Sequence, residues 1–186
     1  MVRAWYMDDS DSDKREPHML DPPVFLSLEE LNKKTGNFFL NICKQFDADT
    51  WELNNELAEL RKKRGYSFED VCEISKDTLP DYDNKLKAFY TEHIHSDEEI
   101  RFVTAGCGYF DFRDRDDKWV RVEAVKDDLI IVPAGIYHRF TLDSSNYIKA
   151  KRLFVGEPTW TPINRPGAED HPVRKDYLKC MAIVNS

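Results

Sequence analysis

Apolar and polar positions follow a helical period up to about residue 90 and an alternating one beyond it. Ser27, with Glu30 three residues later, forms a capping box and predicts a short helix that stops near Gly36. Asn54 or Asn55 caps a second helix with Leu57 and Leu60 on one face, ending at Gly65. Ser67 and Asp70 predict a third carrying Val71 and Ile74, and the stretch 81–89 after Pro80 predicts a fourth. Before them, Val2 to Met7 reads as a short strand, followed by the acidic, polar DDSDSDKREPH, which reads as a solvated loop.

From His93 onward, alternation predicts strands at about 99–104, 108–113, 118–125, 129–132, 137–142 and 148–155. Short antiparallel strands about ten residues apart indicate a small barrel or sandwich. The fold class is therefore mainly β with α. The segment from Asp127 to Gly135 reads as a buried strand entering a tight turn at Pro133 and Gly135. The tail from Glu157, with Pro158, Pro162, Pro166 and Pro172, is expected to wrap the barrel irregularly. The chain reads as a single domain, 1–186: strand and helices over 1–90, barrel core over 91–156 and wrap over 157–186.

Composition excludes several classes. A hydrophobic fraction of 41% over 186 residues suffices for one packed core. The net charge of -8 argues against a nucleic-acid partner, which would demand clustered cations. The one basic run, Arg61 to Arg64 before Gly65, reads first as a helix end complementing its own dipole and second as a nuclear-import patch. No apolar run is long enough for a membrane span, and Cys43, Cys72, Cys107 and Cys180 form no C-x-x-C pair. Reduced thiols and a cytoplasmic location are expected, with the nucleus as a second compartment.

The segment EHIHSDEEIRFVTAGCGYFDFRD holds the candidate chemistry. Strand alternation points His93 and His95 to one side, where two imidazoles can bracket one ion. Glu99 has the same parity but follows the turn-prone Ser96-Asp97, and His138, after PAGIY, is the candidate fourth ligand. His18, in the acidic loop, and His171, in the tail, are expected to be solvated surface residues. Arg101 shares the parity of Glu99 and either faces the metal pocket or forms a rim ion pair. Phe89 and Phe140 are candidates for an apolar wall, although most phenylalanines are simply core. Asp97 and Glu98 are expected to be solvated or to accept from a ligand imidazole, and Cys107 lacks the base a nucleophile needs.

The run His93-x-His95-x3-Glu99-x6-Gly106 resembles the first cupin motif, and Pro133-x-Gly135-x-x-His138 resembles the second. The chain departs from the cupin pattern at Lys87 and Asp127, where glycines are usual, and at Leu142, where asparagine is. Together with MVRAWYMDD, PAGIYHRFTLD and RLFVGEPTWTPINRP, these motifs resemble the acireductone dioxygenase family of methionine salvage along nearly the whole chain. The resemblance implies a monomeric cupin-type jelly-roll β-barrel with one Fe(II) or Ni(II) on His93, His95, Glu99 and His138. It also implies Arg101 as a substrate anchor, and acireductone and O2 as substrates. The products implied are formate and 4-methylthio-2-oxobutanoate with iron, or formate, carbon monoxide and 3-methylthiopropanoate with nickel. Competing readings are another metal-dependent cupin enzyme and a non-enzymatic cupin that binds a protein partner, for example through the acidic N-terminal loop.

Overall fold

The computed structural model describes residues 2–35, 43–157 and 161–183. Strand β1 (Arg3–Tyr6) pairs with β2 (Phe25–Leu26) and is followed by helix α1 (Leu28–Lys34), which carries the expected capping box at Ser27 and Glu30. That helix ends at the C-cap Thr35; the expected stop at Gly36, like Pro158 of the tail, lies outside the described residues. Strand β3 (Cys43–Gln45) precedes helix α2 (Asn55–Arg64), whose N-cap Asn54 accepts from the Leu57 amide. Its cationic last turn closes at Gly65 in the left-handed conformation, φ 70°.

The third expected helix is a strand, β4 (Phe68–Ile74). Local signals there fit either structure, and pairing decides. All seven residues lie in antiparallel register with β10, and Asp70 receives the Arg152 guanidinium at 2.6 Å. The fourth expected helix forms as α3 (Tyr82–Tyr90), followed by β5 (His93–Ile94).

The two strands expected over 99–113 are one continuous strand, β6 (Glu99–Arg113). It is followed by β7 (Trp119–Val125), β8 (Asp128–Val132), β9 (His138–Leu142) and β10 (Ile148–Phe154). The first half of β6 pairs with β8 and β10, and the second half with β7 and β9. One strand thus belongs to both faces of a cupin-type barrel. The corner is Gly106, at φ 76°, where an added Cβ would stand 2.2 Å from the Tyr147 carbonyl oxygen.

The tail is more regular than expected. It contains β11 (Ile163–Asn164), paired with β5, and helix α4 (Pro172–Ile183). Pro172 opens α4, because at the first helical position its missing N–H costs nothing and its fixed φ suits the turn. No helix among the described residues is long and apolar enough to cross a membrane.

Alternation along β6 sends Phe110 and Phe112 into the barrel and Asp111 to the outer face, where it is fully buried. There Asp111 accepts from Arg121 at 2.7 and 2.9 Å and from Arg139 at 2.9 Å. Arg121 also donates to the Lys14 and Glu16 carbonyls, fastening the N-terminal loop over this face. His18, expected on the surface, is buried, because its ring nitrogens reach the Asp8 carboxylate and the Asp13 carbonyl, each at 3.0 Å.

Candidate metal centre

Strand pairing brings the candidate ligands together. His93 and His138 are directly opposed on β5 and β9, His95 follows one residue after β5, and Glu99 opens β6. The ring centroids of His93 lie 4.8 Å from His95 and 4.5 Å from His138. One nitrogen from each of the three rings falls within 4.8 Å of the others. His93 Nε2 is 3.2 Å from His95 Nε2, and Glu99 Oε2 lies 3.1 Å from His95 Nε2 and 3.9 Å from His138 Nε2.

The hydrogen bonds on the far side of two rings set what each ring presents. His93 Nδ1 faces the Thr91 carbonyl at 2.6 Å, and His138 Nδ1 faces that of Ile136 at 3.0 Å. Each Nδ1 must donate, so the neutral ring turns a bare Nε2 lone pair inward. For His138 that nitrogen is buried with no hydrogen-bond partner. An orphaned acceptor beside two more imidazoles and a carboxylate fits a cation. Neighbouring corners of an octahedron about 2.1 Å in radius are about 3 Å apart, close to the 3.1 and 3.2 Å separations.

Electrostatics keep the donors in their binding forms. Burial lowers the His93 imidazole below its ordinary value and brings His138 down to about 3, so both rings are neutral at pH 7. Burial alone would raise the Glu99 carboxyl, but Arg101, His95 and His138 hold it well below the usual carboxylate range. The second partners on the two rings are backbone carbonyls, not the acids suggested by sequence. Glu98 is engaged by Arg64 at 2.7 Å and by Tyr66 at 3.0 Å, while Asp97 is exposed.

The ligands open onto a cavity of about 430 Å³. Phe89 and Phe140 both line it, with ring centroids 6.5 Å apart, as expected for an apolar wall. Arg101 lines it too, and its guanidinium lies 3.3 Å from Glu99 Oε1. It does face the pocket, where it pairs with the candidate ligand Glu99. Phe110, Ile148 and Arg152 also line it and were not anticipated. Arg152 opposes Arg101 across β10 and β6, a pairing that depends on strand register, which residue spacing alone does not give. Burial and Asp143 push the Cys107 thiol up to about 12, leaving no activated nucleophile there.

Residues 3–162 match the sequence profile of the ARD/ARD′ family. The chain belongs to that family. It is 57% identical to the acireductone dioxygenase of Ixodes scapularis over 97% of each chain, and 53% identical to that of Gallus gallus over 98% of each. A solved acireductone dioxygenase from Bacillus anthracis, with a cadmium ion in its active centre, superposes with a TM-score of 0.67 at 25% identity. That match covers 88% of this chain and 98% of the other. The ARD/ARD′ chain described here is accordingly a metal-dependent dioxygenase. Its three imidazoles and Glu99 are the donors that fit the metal, and His18 and His171 are not part of that cluster.

Proposed function

We propose that this ARD/ARD′ protein cleaves a methylthio-substituted acireductone with O2, using one Fe(II) or Ni(II) per chain held by His93, His95, Glu99 and His138. The observation that carries the reading is the buried, unpartnered Nε2 of His138, beside two imidazoles and a carboxylate at the mouth of an aromatic cavity. A cation held there by these four side chains would supply Lewis acidity and a template for a chelating enediolate.

The side chains supply the rest. Three neutral imidazoles and one carboxylate leave a divalent centre with a net charge of about +1, which favours an anionic substrate. Arg101, fixed beside Glu99, places a second positive charge where the enediolate collects. Phe89, Phe110 and Phe140 receive the methylthio arm and keep water from the electron-rich carbons. Both atoms of O2 end in products. With iron these are formate and 4-methylthio-2-oxobutanoate; with nickel they are formate, carbon monoxide and 3-methylthiopropanoate.

The test is to mix anaerobically prepared acireductone with iron-loaded protein in air and follow O2. Substrate-dependent uptake is expected, with carbon monoxide released only by the nickel-loaded form. A different metal-dependent cupin enzyme, or a purely protein-binding cupin, would consume none. Arg101→Ala is expected to keep metal content while slowing turnover by about a hundredfold, the usual loss for one preorganised charge donor. Unchanged kinetics with full metal occupancy would confine Arg101 to holding Glu99.

A further inference from the structure

Two of the candidate ligands depend on one turn, and that turn is gripped from outside the barrel. The Gly135 amide donates to the His95 carbonyl at 3.0 Å, and the next residue, Ile136, receives His138 Nδ1 at 3.0 Å. The turn thus sets the backbone of His95 and the ring of His138 together. On its other side it presses against α4. Gly135 stands at φ 79°, and an added Cβ would come 2.6 Å from the Val173 carbonyl oxygen and 3.0 Å from the Tyr177 Cβ. Arg174, on α4, donates to the Gly135 carbonyl at 3.0 Å. Its guanidinium is itself held in place, 4.4 Å from the Tyr137 ring centroid and 5.1 Å from that of Tyr177.

We infer that Arg174 is a positioning residue for the metal centre, acting through the Gly135 carbonyl to fix His95 and His138 at the separation a single ion requires. The inference rests on the ligand assignment proposed above. The gripped carbonyl belongs to the Gly135–Ile136 peptide, the unit that lies between the Gly135 N–H donating to His95 and the Ile136 carbonyl receiving His138, so holding it restrains both neighbouring peptides at once. Ligand orientation is what partners behind the ligands control, and their loss commonly weakens metal retention about 10- to 100-fold. The strand ladders do not hold the turn, because β8 ends at Val132 and β9 begins at His138, leaving the residues between them outside the sheet.

The experiment measures the rate at which nickel-loaded full-length protein releases its ion to excess chelator, with the visible spectrum of the cobalt-loaded form as a second readout. Arg174→Ala is expected to release the ion about tenfold faster or more and to shift the cobalt bands. Arg174→Lys, which keeps a donor for the Gly135 carbonyl, should recover much of the retention and gives a readable variant if the alanine form fails to fold. Tyr177→Phe is the control. It removes the 2.7 Å bond from α4 to the Thr35 carbonyl and leaves Arg174 in place, so helix docking weakens without touching the turn. Equal release from wild type and Arg174→Ala, or equal acceleration by Arg174→Ala and Tyr177→Phe, overturns the inference. If wild-type protein retains no ion at all, the ligand assignment fails first and the inference falls with it.

Discussion

Replacing His138 by alanine is expected to leave a folded protein that no longer retains its metal, with O2 uptake falling to background. His138 is the one candidate ligand whose inward nitrogen is buried and unpartnered in the protein alone, so its removal takes away a donor that serves no other contact. Losing one imidazole of three costs affinity and also opens an additional position, so the chelated geometry is no longer defined. The structural cost is small by comparison. The Ile136 carbonyl loses its partner, a penalty of about 1–3 kcal/mol for a buried acceptor, and β9 keeps its ladder to β6. Elemental analysis beside a thermal melt separates the two effects. A variant that keeps one ion per chain would remove His138 from the ligand set.

The second large effect lies on the opposite face of the same strands. Asp111→Ala is expected to destabilise the fold by about 3–5 kcal/mol, because it strands the buried Arg121 and leaves Arg139 without its carboxylate. Both Asp111 and Arg121 are fully buried, so water cannot solvate the charge left behind. For a chain of this length that loss lowers Tm by roughly 10 °C, readable in a melt of the metal-loaded protein. The N-terminal loop should loosen at the same time, since Arg121 holds the Lys14 and Glu16 carbonyls only while Asp111 holds Arg121. Faster proteolysis between Asp8 and His18 would report that loosening. An unshifted melt would mean that water reaches the guanidinium after all.

Those two faces show what the sequence makes legible. The clustering of His93, His95 and His138 could be read because a period of two places the first two on one side, and because Pro133 and Gly135 announce the turn that returns the chain at His138. The turn's grip on α4 could not be read, since Arg174 takes the backbone carbonyl of Gly135, and a main-chain acceptor leaves no mark in the pattern of residue types. The stretch Ser67 to Ile74 misleads for a different reason. A cap-like serine and apolar residues three apart suit a helix, but the cost of leaving β10 without an edge partner outweighs local preference. His18 was expected to be wet because its neighbours are acidic, yet that polarity is what allows it to be buried, each ring nitrogen meeting an oxygen. The wall containing Arg152 depends on register between β6 and β10, which shifts at Lys149 and Ala150, and no spacing rule anticipates a shifted register.

The central claim is that four side chains from β5, the segment after it, β6 and β9 close around one divalent ion. Diffraction recorded at the nickel absorption edge, on crystals of protein loaded with one equivalent of Ni(II), tests it most directly. A single anomalous peak is expected, within about 2.3 Å of His93, His95 and His138 Nε2 and of a Glu99 oxygen. A peak elsewhere in the chain, or an ion whose every coordination position is filled by protein atoms, would contradict the account.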